Sequence, residues 1–161
     1  MRCAIGPALL STFLLAGTVR AGERPPPALA LGAGWFDFNR RQDQAAELRL
    51  EYRSSLRLPR PAVGVLATTD RSVYVYGALG FDIPLGRLVL TPSFGPGAYF
   101  RGGGKELGHV VEFRSQVELA WRFRDGSRLG FSVCHISNGG LGERNPGAES
   151  LTLTYEVPLG R

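Results

Sequence analysis

Between Val111 and Arg124 the side chains alternate in character at every step. Val111, Phe113, Ser115, Val117, Leu119, Trp121 and Phe123 take the odd positions, and Glu112, Arg114, Gln116, Glu118, Ala120, Arg122 and Arg124 the even ones. A period of two is the period of a strand, in which neighbours point to opposite faces. One face of this strand is therefore apolar and aromatic, and the other carries charge. Residues 46–58 repeat the pattern in the other register: Ala46, Leu48, Leu50, Tyr52, Leu56 and Leu58 alternate with Glu47, Arg49, Glu51, Arg53 and Arg57. Similar stretches at 29–38, 62–69, 72–84, 87–100, 127–138 and 149–159 bring the expected total to about eight strands. No segment beyond the N-terminal leader has a convincing helical period.

Two architectures satisfy such strands. A soluble sandwich turns its apolar faces inward. A membrane barrel turns them outward to lipid and keeps the charges in a narrow lumen. The strand lengths lie near the ~9–11 residues that cross a bilayer at a tilt. The connections also alternate in size. Leu58-Pro59-Arg60-Pro61, Pro84-Leu85-Gly86 and Asp125-Gly126-Ser127 are tight, while Asn39 to Gln44, Arg101 to Gly108 and Asn138 to Ala148 are longer and polar. Thr69-Asp70-Arg71 is the short exception. Short turns on one side and longer loops on the other are the outer-membrane arrangement. Trp35, Phe36, Phe38, Tyr99, Phe100, Trp121 and Phe123 fall near strand ends, where an aromatic girdle belongs. The expected fold is thus all-β, an eight-stranded antiparallel transmembrane β-barrel of the outer-membrane type. A soluble lipid-carrying barrel is disfavoured, since its interior should be apolar.

Residues 1–21 read as an export signal: basic Met1-Arg2, an apolar run from Cys3 to Val19 and a small-x-small site at Val19-Arg20-Ala21. That leaves 22–161 as the barrel domain, with 17 basic and 14 acidic side chains and a net charge of +3. The excess forms no basic stripe, which argues against nucleic acid. Cys134 is then the only cysteine, so no internal disulfide is available. Strand parity sets it on the inner face as an inert small residue.

Several signals carry no chemistry. Gly102-Gly103-Gly104-Lys105 lacks the spacing and following hydroxyl of a phosphate loop and reads as a flexible external loop. Gly32-Ala33-Gly34 reads as small residues in a strand. There is no Gly-x-Ser-x-Gly elbow. His109 has no ligating partner at useful spacing, and no metal or other cofactor is expected.

The stretch from Cys134 to Glu149 is different. His135, Ser137 and Glu149 share the odd, apolar face at the loop end of two successive strands. Residues two apart on a strand face lie roughly 6.5–7 Å apart. A serine becomes a nucleophile when a base takes its proton, and a histidine does so best when an anion fixes its tautomer. Polar strand-end residues meeting headgroups would give the same pattern without catalysis. Gly139, Gly140, Gly142 and Asn145 offer nearby donors for an oxyanion.

His135-Ile136-Ser137-Asn138, Gly140, Asn145-Pro146-Gly147 and Glu149 together resemble the motif of the lipid A 3-O-deacylases of the PagL type, often labelled acyloxyacyl hydrolases. The specific motif lies between Phe131 and Tyr155; the rest fits the family's layout more loosely. The resemblance implies an outer-membrane esterase that acts on lipopolysaccharide and releases a 3-hydroxy fatty acid without a metal. It implies Ser137 as nucleophile, His135 as base and acid, and Glu149 as its orienting partner. Asn145 and the Gly140 N–H would form the oxyanion hole, with Asn138 supporting the loop. Arg40, Arg41, Arg101, Lys105 and Arg144 fall in external loops, in position for lipid A phosphates. The alternative is a non-catalytic small barrel that binds or organises surface lipids. Monomer and homodimer both stay open.

Overall fold

The computed structural model describes residues 24–40 and 43–160. The expected signal segment, 1–21, lies outside the described residues. Nine strands follow one another: β1 (Ala28–Phe36), β2 (Ala45–Arg53), β3 (Arg60–Thr68), β4 (Val73–Gly80), β5 (Ile83–Leu85), β6 (Leu88–Phe100), β7 (Val111–Arg122), β8 (Arg128–Ser137) and β9 (Ala148–Pro158). Successive strands pair antiparallel, except that β4 and β5 do not pair with each other and both pair with β6. β1 joins β9, and β4 joins β6, so the sheet closes on itself. β4 and β5 form one barrel strand interrupted at Phe81-Asp82, which makes this a closed eight-stranded antiparallel barrel. Closure removes every free strand edge.

The expected strand at 72–84 is therefore broken. Its register against β6 is the same on both sides of the break, as in Gly80↔Ser93 and Ile83↔Leu90. That register sets Phe81 opposite Pro92, which has no N–H to donate. Only Phe81 N–H to Pro92 O, at 3.0 Å, survives there. The strand expected at 46–58 ends at Arg53. Ser54 N–H turns to Pro61 O at 2.8 Å, and Leu56 and Leu58 sit in the turn rather than on the wall.

Parity holds around the barrel. Leu48, Leu50 and Tyr52 on β2, Val117, Leu119 and Trp121 on β7, and Leu129, Phe131 and Val133 on β8 all lie on the exposed outer wall. Glu47, Arg49, Glu51, Arg53, Glu112, Arg114 and Glu118 are buried in the lumen. So long an apolar outer surface has no counterpart on a water-soluble monomer and matches a wall in contact with lipid.

Charges removed from water need partners. The lumen provides them around Arg53, while both Glu112 carboxylate oxygens have no hydrogen-bond partner among the described residues. Arg53 is the hub. Its Nε donates to Glu51 at 2.7 Å, Nη1 donates to Glu118 at 2.9 Å and Glu156 at 2.7 Å, and Nη2 donates to Glu118 at 3.0 Å. Tyr76 donates to Glu51 at 2.6 Å, and Arg49 donates to Gln116 and Thr154 at 2.5 and 2.7 Å. Toward the end with the short turns, Arg60 and Arg128 converge on Asp82 at 3.3 and 2.8 Å. The cavity between Glu51, Arg53, Arg60 and Asp82 measures about 20 Å³, close to the space of one water and far short of a channel.

The girdle expectation holds only in part. Trp35, Phe100, Trp121 and Phe123 are exposed on the wall, but Phe36 and Tyr99 are buried in the mouth of the lumen, stacked with centroids 6.3 Å apart. Position near a strand end did not decide their direction; parity did.

Candidate active site

β8 and β9 run antiparallel in a register that pairs His135 with Glu149. Both odd-numbered side chains face outward at the end of the barrel where the β8–β9 loop emerges. Glu149 Oε1 lies 3.0 Å from His135 Nδ1. A carboxylate can only accept, so this contact holds the proton on Nδ1 and turns Nε2 into the free base. The His135 side chain is 49% exposed and that of Glu149 26%, so the pair sits in the wall without being sealed in it.

Ser137 follows on the same face, half-buried, opposite Phe113 of β7. Its hydroxyl has no hydrogen-bond partner among the described residues. Serine–histidine contacts often tighten only once substrate is bound.

The loop after Ser137 is organised around Asn138, whose side chain turns inward and is fully buried. Its Nδ2 donates to Leu107 O at 2.9 Å and Arg144 O at 2.7 Å. Its Oδ1 accepts from the Gly140 N–H at 2.9 Å, and its own N–H donates to Asn145 Oδ1 at 3.0 Å. The two expected oxyanion donors therefore differ. Asn145 is held through its oxygen and keeps its amide N–H groups unpartnered among the described residues. The Gly140 N–H is engaged within the loop.

Two neighbours of His135 have no role assigned from the sequence, although Gly147 belongs to the motif. Gly147, at φ +62°, packs against the imidazole, and a Cβ there would lie 2.9 Å from His135 Cε1. Ser115 faces His135 directly across from β7. The signal for Ser115 was present, since it is the one polar residue among the odd positions of β7, but only the register shows what it faces. Cys134 is buried on the lumen side, as parity implied.

Among the loop cations, Lys105 corrects the expectation. It is buried against Asp37, with Nζ 2.5 Å from Oδ2, instead of reaching outward. Arg40 donates to Pro146 O at 3.0 Å, Arg101 pairs with Glu106 at 3.4 Å, and Arg144 is exposed. Arg41 lies outside the described residues.

From His135 an apolar groove of about 460 Å³ runs over the outer wall, between Leu79, Phe81, Pro92, Phe94, Val117 and Val133. Another groove of about 480 Å³ lies over β1 and β2, lined by Leu31, Leu48 and Leu50, but it touches no residue of the His135 site.

The family model described as lipid A 3-O-deacylase (PagL) matches residues 28–158. Lipid A deacylase PagL of Pseudomonas aeruginosa is 34% identical over 89 residues, which is 54% of this chain and 50% of that protein. Lipid A deacylase PagL of Bordetella bronchiseptica is 33% identical over 51 residues, 32% of this chain and 29% of that one. The matches thus span half or less of the curated relatives' lengths. A solved structure described as the outer membrane enzyme PagL superposes with a TM-score of 0.64 at 18% identity, covering 82% of this chain and 99% of the other, and shares the fold. With a family match that runs from the first barrel strand to the last and takes in His135, Ser137 and Glu149, the chain belongs to the lipid A 3-O-deacylase (PagL) family.

Proposed function

We propose that this protein is an outer-membrane esterase that hydrolyses the 3-O-linked acyl chain of lipid A, with Ser137, His135 and Glu149 as its triad. The observation that carries the reading is the His135–Glu149 contact on an otherwise apolar outer wall, at the head of a groove of about 460 Å³. A catalytic pair there faces lipid, and the groove beside it suits an acyl chain.

Ser137 Oγ attacks the ester carbonyl as His135 Nε2 takes its proton, and Glu149 stabilises the imidazolium. The carbonyl oxygen becomes an oxyanion. Asn145 Nδ2 is the donor free to meet it, and the Gly140 N–H joins once it leaves Asn138 Oδ1. His135 then returns the proton to the departing 3-oxygen of the sugar, leaving an acyl-serine. A water deprotonated by His135 attacks that ester, and its collapse regenerates Ser137 and releases a 3-hydroxy fatty acid.

The test uses the full barrel in detergent with purified lipopolysaccharide, read by mass spectrometry of lipid A and of the free acid. Wild type removes one 3-hydroxyacyl group; Ser137→Ala and His135→Ala do not, while still forming a compact barrel. A Ser137→Ala variant with wild-type turnover refutes the triad. An unchanged lipid A spectrum with the wild-type barrel refutes the activity.

A further inference from the structure

The loop between β6 and β7 does not stand away from the barrel. It dips into the mouth of the lumen, where Lys105 is 5% and Leu107 0% exposed. Lys105 Nζ meets Asp37 Oδ2 at 2.5 Å, and Asp37, just past β1, is itself 0% exposed. The Tyr99 hydroxyl donates to Lys105 O at 2.9 Å, and Ser72 Oγ donates to Arg101 O at 2.6 Å. Apolar residues would fill this space at lower desolvation cost. A buried ion pair contributes little net stability and is best suited to selecting one arrangement.

That arrangement reaches the catalytic loop. Leu107, two residues beyond Lys105, offers its carbonyl to Asn138 Nδ2 at 2.9 Å. Asn138 is adjacent to Ser137 and points to the opposite side of the wall. The two loops also pack without space between them. A Cβ on Gly108 would fall 2.2 Å from Arg144 O, and one on Gly142 would fall 2.5 Å from Gly108 O.

We propose that Lys105 and Asp37 are positioning residues for this site: their ion pair pins the β6–β7 loop in the barrel mouth, and the pinned loop, through Leu107 and Asn138, sets the conformation of 138–147 that presents Asn145. Neither residue touches substrate. The inference rests on the triad reading for its rate effect but not for its structural effect.

Asp37→Asn/Lys105→Met removes the pin without leaving either charge buried and unpaired, and Lys105→Arg keeps it. The measurements are kcat and KM on lipid A in micelles, and hydrogen–deuterium exchange of 138–147 in the same preparations. Electrophoretic mobility before and after heating reports the folded barrel. The double variant should lose about tenfold in kcat with KM held within about twofold, as expected for a misplaced catalytic group, and its 138–147 amides should exchange faster. Lys105→Arg should stay near wild type in both. Wild-type exchange in the double variant overturns the proposal, as does faster exchange with undiminished kcat. If the double variant fails to assemble, Asp37→Asn, which keeps an uncharged acceptor for Nζ, should show a smaller shift in the same two readouts, and no shift overturns the proposal. Because exchange needs no turnover, a failed triad and a failed pin give different results.

Discussion

Gly147 packs against His135 so closely that a Cβ on it would lie 2.9 Å from the imidazole Cε1. The residue is also at φ +62°, where any L side chain is strained. Gly147→Ala should push the ring off its contact with Glu149. Since a displacement of about 1 Å can cost about 100-fold in rate, kcat should fall by about that factor with a smaller change in KM. Steady-state kinetics on detergent-solubilised lipid A would show it, with heat-dependent gel mobility confirming an intact barrel.

Glu149→Gln keeps a hydrogen-bonding group beside Nδ1 but removes the charge that stabilises an imidazolium. Losses of up to about 10⁴-fold accompany the equivalent change in a serine protease triad. The expected result here is at least a 100-fold fall in kcat. Glu149→Asp, which keeps the charge on a shorter arm, should lose less. Equal losses in the two variants would argue that geometry, not charge, is what Glu149 supplies.

Arg53 joins Glu51, Glu118 and Glu156 within a single lumen layer. Arg53→Met leaves buried carboxylates short of a partner, and breaking such a buried pair costs about 3–5 kcal/mol. The variant should unfold at markedly lower urea, read by gel mobility, while the fraction that folds keeps its turnover because His135 stands on the other side of the wall.

Leu119 faces outward, 47% exposed. In lipid, Leu119→Arg should destabilise the barrel by up to about 2–4 kcal/mol, the cost of a cation near the bilayer midplane. In water the same substitution would be almost silent. Urea titration in vesicles, compared with Leu119→Ala, distinguishes the two surroundings.

Filling the groove tests substrate binding. Val117→Trp should raise KM severalfold for a long-chain ester and leave a short soluble ester nearly unaffected. Equal effects on both would mean that the groove does not hold the chain.

Alternation made the barrel legible, because a strand has only two faces and the charges occupied one of them. The same rule put Cys134 inside and His135 outside. It was less informative where the chain leaves regular structure. Leu56 and Leu58 continue the alternation of β2 by composition, yet the chain has already left the strand at Ser54, whose N–H bonds Pro61 O. Phe36 and Tyr99 look like girdle residues until parity sends them inward. Lys105 sits in a glycine-rich tract that reads as exposed, and its partner Asp37 lies 68 residues earlier, a distance no local pattern spans. The His135–Glu149 pairing was readable because a single loop joins their strands. Ser115 and Gly147 needed the register and the turn geometry.

The proposed site, on the outside of a wall, changes what substrate concentration means. On the proposed triad, His135 and its groove on the outer wall would receive substrate by lateral diffusion in two dimensions. Turnover should follow the mole fraction of cleavable lipid in the surface, and diluting the same amount into inert detergent should slow it even at constant bulk concentration. The second substrate in that reaction, water, would come from the other direction. His135, half-exposed at the loop end of the wall, is placed where the two supplies would meet.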